Sequence, residues 1–309
     1  MLSFHDILRR GEIDPRDVNV MLHSPREPEL LRMLPGLVRT RRIAMETFQA
    51  WHSPQAEKAL KQGRRWIASF VKTGRGQSQG ESAMLFAGLY RNNGHRERSR
   101  ADIVSDSEVK WLRETFGVFW EMKDQSWNHW TWFDLSLDEK LSELQGRLLL
   151  SVRLTQSYVR LAENLNAPVM AIHERSTFDA APPSWDEILL RAGMLKALPP
   201  SWADRLGQWR GIYLIVDEND GGRYVGSAYG EENLFGRWRA HVSGEKGVTK
   251  ELALRSPATF RFSILELLSP TATPEEVTQK ENRWMDRLHT RRFGLNAGGP
   301  AVSNDAFIS

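Results

Sequence analysis

Two tyrosines on either side of a turn are the residues of this chain best placed to act together in chemistry. The chain has only five tyrosines, and three of them lie between positions 213 and 229. Gly211-Ile212-Tyr213 and Tyr224-Val225-Gly226 flank the turn-forming run Asp217–Gly222. This layout predicts a β-hairpin that presents two phenol hydroxyls near one place. A single tyrosine in a strand is usually a packing residue, so the pair needs partners before it indicates a site.

Three charged or titratable residues downstream add groups that could bind phosphate, move a proton and hold a metal ion. Arg237 and His241 are four positions apart, so a helix places them on one face. The planar fork of an arginine can hydrogen-bond phosphate oxygens. A hard divalent cation held by one carboxylate, here Glu281, can bridge a phosphate oxygen and keep several waters. Such a set has the groups that hydrolysis of a phosphodiester needs: a route for the proton of an attacking water and charge stabilisation.

The same positions carry a family resemblance over residues 211 to about 297. Gly211-Ile212-Tyr213 and Tyr224-Val225-Gly226 resemble the two motifs that name the GIY-YIG nuclease family, with Val in place of Ile in the second. Arg237 and His241 resemble the arginine and the His or Tyr of the family's first helix. Glu281 resembles its metal-binding glutamate, and Asn296, after Gly294-Leu295, its terminal asparagine. Each residue alone would be read as structural or solvated, but six matches in order favour a site.

The resemblance implies a role for each residue. Tyr213 would be the general base, assisted by Tyr224 and His241, and Glu281 would hold the metal. A phenol is a poor base at its usual pKa of about 10, so this role requires nearby positive charge to lower the pKa. The segment offers one well-placed carboxylate, so we expect one ion, Mg²⁺ or Mn²⁺, and no other cofactor.

The elements that must position these residues follow from the apolar pattern. From residue 211 the pattern predicts strand, turn, strand, two helices, strand and helix, with the last helix starting at Thr273-Pro274. We therefore expect an α+β chain with a GIY-YIG domain, a small antiparallel sheet flanked by helices, over residues 208–300. Helices are predicted to start at Pro182-Pro183-Ser184 and at Pro199-Pro200, with Ser201 as the cap of the second. The domain boundary is predicted near residues 195–208.

The first two hundred residues have a different character. Residues 1–100 carry 18 Lys and Arg against 10 Asp and Glu, whereas residues 101–200 carry 10 against 15. The pattern predicts a helical segment over residues 1–60 and a mixed α/β domain over 61–200, with strands near Trp66–Val71 and Met84–Tyr90 and a basic loop over 91–106. A clustered positive field is typical of surfaces that bind a phosphate backbone, although basic residues also spread over solvated helix faces.

Tryptophans follow the basic segment. The residues from 60 to 175 resemble small β-barrel readers of modified bases of the PUA-like kind, which implies that aromatic side chains there stack on an extruded base. The alternative is that Trp111, Trp120 and Trp130 simply fill a core. Further aromatic residues of this cluster are Phe116, Phe119, Trp127, Trp132 and Phe133.

Together these observations predict a metal-dependent DNA endonuclease of restriction or defence type that reads modified DNA. Two alternatives stay open: a repair nuclease for damaged or branched DNA, and a non-catalytic DNA-binding protein on a degenerate nuclease scaffold. The chain has no cysteine and no apolar run near 18 residues, which fits a cytoplasmic protein without a membrane partner. One active site cuts one strand, so double-strand cleavage would need a homodimer on DNA.

Overall fold

The chain divides into two compact units. The computed structural model describes residues 2–119, 129–179, 182–231, 233–244 and 250–296. The units are Met1–Ala180 and Ala181–Ser309. The division lies before the predicted boundary at 195–208, because the short strand Leu189–Arg191 pairs within the sheet of the second unit. Over the described ranges, no helix has the length and apolarity to cross a membrane.

The first unit combines short helices with one large sheet. Its helices are α1 (Phe4–Arg10), α2 (Pro28–Thr40), α3 (Arg42–Phe48), α4 (Pro54–Leu60), α5 (Arg100–Ser105) and α6 (Ser107–Phe116). Its strands are β1 (Val18–His23), β2 (Trp66–Arg75), β3 (Ser82–Ser99), β4 (His129–Leu137), β5 (Leu148–Val152), β6 (Val159–Leu161) and β7 (Val169–Ile172). The strand order is β6-β1-β2-β3-β5-β7, and β4 pairs with β3. The segment 1–60, predicted as helical, thus also supplies β1, which runs parallel to β2.

The basic loop predicted over residues 91–106 is wrong. Residues 91–99 continue β3, and residues 100–105 form α5. The continuation pairs with β4, so its backbone groups are hydrogen-bonded within the sheet while the side chains of Arg91 and Arg96 remain exposed. Gly94, with φ +112°, lies where the register of this pair shifts. Polar composition indicated a loop, but pairing with a strand more than thirty residues later decides the conformation.

The aromatic cluster of the first unit is largely core. Trp130 is 2% exposed and Trp111 is 9% exposed. Trp132 is also buried, with the Arg98 guanidinium carbon 4.6 Å from its ring centroid. The structure therefore places these three indoles in the core, which is the alternative that the sequence left open. Trp120 and Trp127 lie outside the described residues.

The second unit is a four-stranded antiparallel sheet with helices on both faces, which confirms the predicted α+β class. Its strands are β8 (Leu189–Arg191), β9 (Gly211–Asp217), β10 (Arg223–Ala228) and β11 (Phe260–Leu267). Its helices are α7 (Pro200–Gln208), α8 (Asn233–Ser243), α9 (Lys250–Ala253), α10 (Pro274–Arg287) and α11 (Thr290–Phe293). The strand order is β10-β9-β11-β8, so β10 is an edge strand.

One predicted helix is absent, and the N-cap of another differs from the prediction. The residues after Pro182-Pro183 form only a 3-10 turn over Trp185–Glu187, and the chain then enters β8. Helix α7 starts as predicted, but its cap is Pro199, and Ser201 lies within the first turn. Pro200 occupies the first helical position, which its fixed φ and missing N–H suit. The predicted start of α10 is confirmed, with a capping box between Thr273 and Glu276.

The two faces of the second sheet are buried by different helices. On one face, Tyr213 and Phe262 lie against Trp238 of α8, with ring centroids 6.3 and 5.2 Å from that of Trp238. On the other face, Ile212 and Val225 form a core with residues of α10. Both helices also contact the edge strand β10, one on each face of the sheet.

Candidate active site

The two motif tyrosines come together because a glycine separates them. In the hairpin of β9 and β10, Tyr213 lies opposite Gly226. A Cβ atom at position 226 would lie 2.4 Å from the Tyr213 hydroxyl oxygen and 2.8 Å from Cε1 of Tyr224. Only a glycine leaves room for both rings, whose centroids are 6.4 Å apart. The structure thus places the two phenols as the sequence predicts.

His241 is the direct partner of Tyr213. The Tyr213 hydroxyl and His241 Nε2 are 2.6 Å apart, and both side chains are buried. Burial, with the neighbouring Arg237 charge, lowers the pKa of His241 to about 3. The imidazole is therefore neutral near pH 7, and its Nε2 can accept the phenol proton. Its Nδ1 is buried without a hydrogen-bond partner among the described residues.

Arg237 lies beside both phenols, one helical turn before His241. Burial acts to lower the pKa of Arg237, but its interactions with Tyr213 and Tyr224 outweigh this effect and raise it. In return, the guanidinium acts to lower the pKa of each phenol. Burial opposes this effect and dominates, so the pKa of Tyr213 and that of Tyr224 are both raised. The expectation that positive charge lowers the pKa of the base is therefore not met.

Glu281 reaches the same site from the opposite face of the sheet. Its Oε2 accepts a hydrogen bond from the Ser227 hydroxyl at 2.9 Å. Burial raises the pKa of Glu281, while Ser227 and the Arg237 charge act to lower it. Both Glu281 and Arg237 line a cavity of about 580 Å³ that also touches Tyr229 and Asn233. A half-buried carboxylate and a guanidinium thus border one space, which is open to a phosphate group.

Asn296 holds the second motif in place from the end of the described chain. Its Oδ1 accepts from the Val225 backbone N–H at 2.9 Å, and its Nδ2 donates to the Val225 carbonyl at 2.7 Å. Because β10 is an edge strand, these backbone groups have no further strand to pair with. Asn296 therefore positions β10, and its amide is engaged with backbone rather than with the cavity.

Sequence reasoning missed Ser227. It follows the second motif directly and shares the strand face of Val225, from which α10 brings Glu281. The alternation of the strand was a usable signal, since it places residues 225 and 227 on the side opposite the tyrosines. The motif resemblance gave no reason to look beyond Gly226.

Replacing Gly226 by alanine tests the packing of the two tyrosines. We expect Gly226→Ala to destabilise the second unit by at least about 1–3 kcal/mol, because the added methyl group overlaps both rings. The cleavage rate should fall as well, because the added methyl group forces the two phenols apart. Urea unfolding and plasmid nicking give the two measurements.

Gly207→Ala is the matched control, because a Cβ at that position meets nothing within 4 Å. It lies in α7, so alanine should leave stability unchanged or raise it by up to about 1 kcal/mol. Equal stability of the two variants would contradict the account of Gly226.

Asn296→Ala tests whether Asn296 contributes by holding strand β10 in position rather than by contacting the substrate. The change leaves two buried backbone groups of Val225 without partners, and we expect a loss of about 2–5 kcal/mol in the free energy of unfolding. Asn219→Ala, in the exposed hairpin turn, should cost much less. An Asn296→Ala protein of unchanged stability that no longer cuts would instead place the amide in the chemistry.

Comparison with known proteins supports the interpretation of the second unit. The sequence profile of a family described as the GIY-YIG catalytic domain matches residues 210–296. Among solved structures, the catalytic domain of the homing endonuclease I-TevI is 26% identical, with 29% of this chain and 99% of that chain covered and a TM-score of 0.25. A mutant of the catalytic domain of the intron endonuclease I-TevI has the same identity and TM-score and is 93% covered.

No curated protein sequence matches the chain. The family profile spans both tyrosine motifs, α8 and α10, and ends at Asn296. It therefore covers all six predicted site residues, and the geometry brings five of them, Tyr213, Tyr224, Arg237, His241 and Glu281, around one place while Asn296 braces the strand that carries Tyr224. Residues 210–296 of this chain are a GIY-YIG catalytic domain, and the chain is an endonuclease.

Proposed function

We propose that this chain is a cytoplasmic, divalent-metal-dependent endonuclease that hydrolyses DNA phosphodiester bonds in restriction or genome defence and that selects DNA carrying a modified base. One observation supports the chemistry most directly. Arg237 and Glu281, brought in by helices from opposite faces of the sheet, border one cavity beside the hydrogen-bonded pair of Tyr213 and His241. A cation at Glu281 and the guanidinium would then face the same phosphate.

The donor set suits one hard cation. Within the described ranges, no group of three or more His, Asp or Glu side chains could hold a metal ion together. Glu281 would therefore bind Mg²⁺ or Mn²⁺ alone, and water and phosphate oxygens would complete the shell, as Mg²⁺ prefers. Burial outweighs the Ser227 hydrogen bond and the Arg237 charge and raises the pKa of Glu281, so a bound cation would stabilise the ionised carboxylate further. When bound, the ion stabilises developing negative charge on the phosphate.

The remaining roles follow from the hydrogen bonds. Arg237 binds a phosphate oxygen and keeps its position through the phenols. Tyr213 takes the proton of the attacking water while its own hydroxyl proton passes to Nε2 of His241. Because burial and Arg237 hold the pKa of His241 low, this step requires the negative charge of the bound phosphate to raise it. Tyr224 lies against both Tyr213 and His241 and keeps this pair in place. Ser227 orients the Glu281 carboxylate.

A single cavity of this kind acts on one strand at a time. Cutting both strands would need two chains on the DNA, so we propose a homodimer as the form that makes double-strand breaks. Target choice would lie in the first unit, where residues 1–100 carry the basic excess.

Nicking of supercoiled plasmid tests the proposal. Plasmids that differ only in methylation or hydroxymethylation of cytosine and in methylation of adenine are incubated with Mg²⁺ or Mn²⁺, and branched DNA serves as a further substrate. We expect cleavage that requires the metal and prefers one modified plasmid. Preference for branched DNA would favour a repair role, and no cleavage of any DNA with either metal would indicate a non-catalytic scaffold.

A further inference from the structure

A second cavity, in the first unit, is larger than the one at Glu281. It measures about 790 Å³, within the size range of ligand sites in proteins. It opens where several elements end: His23 closes β1, Phe48 closes α3, and Val118 and Phe119 follow α6. Among the described residues, the indole that lines it is that of Trp51.

The wall of this cavity is made of rings. Six ring side chains line it: His23, Phe48, Trp51, His52, Phe119 and Tyr158. Trp51 lies 5.6 Å from Phe119, and His23 lies 5.3 Å from Phe48, between ring centroids. Flat rings of this kind present faces on which another flat ring can stack.

The backbone at Phe119 is strained. Phe119 has φ +60°, in the left-handed region that bulky side chains rarely adopt. The preceding helix already ends on Gly117, also at positive φ, so the chain is turned sharply to deliver Phe119 against Trp51. Strain at a residue that lines a cavity and serves no secondary structure is characteristic of ligand sites.

Polar atoms without partners lie among these rings. His52 is 4% exposed, and its Nδ1 pairs with the Tyr158 hydroxyl at 3.0 Å, but its Nε2 has no hydrogen-bond partner within the described ranges. Trp51 Nε1, a donor only, is also buried and unpartnered there. Buried groups in this state are normally satisfied by a ligand or by water. Both atoms are closed to a water molecule, so a base would reach them only as the rings around them shift, and they would then offer it a donor and a tautomeric nitrogen.

The electrostatics of the cavity favour a neutral ligand. Burial lowers the pKa of His23 to about 4 and that of His52 to about 3, so both imidazoles are uncharged near pH 7. On the rim, Arg26 and Glu27 carry opposite charges. The described residues that line the cavity offer an anionic ligand no net positive charge, whereas a neutral heterocycle would lose little solvation free energy on leaving water.

We propose that this cavity receives a single nucleobase turned out of the DNA helix, stacked on Trp51 and Phe119 and hydrogen-bonded along its edge by His52 and Trp51. The proposal rests on the proposed DNA endonuclease function and assigns the selection of target to the first unit. It also explains why the buried Trp111, Trp130 and Trp132 are not needed for stacking.

Binding to duplexes with a weakened base pair tests the cavity without cleavage. The full chain carrying Glu281→Gln is titrated with duplexes that hold one central cytosine or adenine, unmodified or methylated, either correctly paired or mispaired. Extruding a mispaired base costs less, so at least one mispaired duplex should bind about tenfold more tightly than its paired form. Thr155→Trp, at an exposed position on the rim, should obstruct the cavity and abolish this preference while leaving the fold intact.

Two further variants sharpen the result. Trp51→Phe keeps a ring but loses the indole N–H and should reduce the preference in part. Ile43→Ala, at a 64% exposed apolar position of the same unit, should leave it unchanged. A preference that survives Thr155→Trp, or that is absent from the parent protein, overturns the base pocket. If the preference is present but the native chain nicks no DNA, the endonuclease proposal fails and the pocket stands.

Discussion

Glu281→Gln is expected to stop cleavage while DNA binding stays. The substitution keeps the size of the side chain and an acceptor for the Ser227 hydroxyl, but removes the charge that would hold the cation. Loss of roughly 4 kcal/mol of transition-state stabilisation would lower the nicking rate about 1000-fold. The rate is measured on supercoiled plasmid at saturating Mg²⁺, and binding is measured by gel shift on the same DNA.

Glu275→Gln is the matched control. Glu275 lies on the same helix, α10, and is exposed, so the identical change of chemistry should leave the rate unaltered. Calorimetric titration of Mg²⁺ gives a second readout, since Glu281→Gln should weaken metal binding and Glu275→Gln should not. Cleavage by Glu281→Gln at the native rate would remove Glu281 from the chemistry altogether.

Much of the site could be predicted from sequence because its residues lie in local elements. The turn Asp217–Gly222 fixed the hairpin, and the spacing of Arg237 and His241 fixed their common face on α8. The structure adds why the second motif has its glycine: the tyrosines of both motifs occupy the space that a side chain at 226 would take. Such a constraint depends on packing across strands and cannot be deduced from spacing.

The features that sequence reasoning missed depend on long-range pairing. Residues 91–99 are too polar to indicate a strand, and they form one because they pair with β4 along most of their length and with β2 at Arg91. Residues 189–191 lie where the sequence predicts a helix after Pro182-Pro183-Ser184, yet they extend the second sheet by pairing with β11. The cavity lined by Trp51 combines ends of elements from positions 22 to 158, so no window of sequence contains it.

The direction of the pKa shifts of the two tyrosines also could not be predicted from the sequence. The presence of Arg237 near two tyrosines suggested phenols of lowered pKa, but burial is the larger influence. This matters for the mechanism, because a phenol of raised pKa is protonated before the reaction and is not already a phenolate base. It can accept a proton only if it gives one up, and His241 Nε2 is the hydrogen-bonded neighbour that would take it once the bound phosphate raises the pKa of the imidazole.

Tyr213→Phe is therefore expected to slow cleavage by at least about 100-fold, the usual contribution of a general base. The ring stays and fills the same space, but the hydroxyl between the water and His241 is gone. The free energy of unfolding should fall by only about 1–3 kcal/mol, because His241 Nε2 loses its buried partner. Tyr90→Phe, which removes another fully buried hydroxyl in the first unit, should leave the nicking rate unchanged.

Combining the change with His241→Asn shows whether the two residues act as one relay. If the proton passes from Tyr213 to His241, either single change breaks the path, and the double variant should be no slower than the worse single one. Multiplying effects would mean that each residue acts separately. A Tyr213→Phe enzyme that retains full rate would instead move the base to Tyr224, which is 5% exposed and lies 5.5 Å, between ring centroids, from the same histidine.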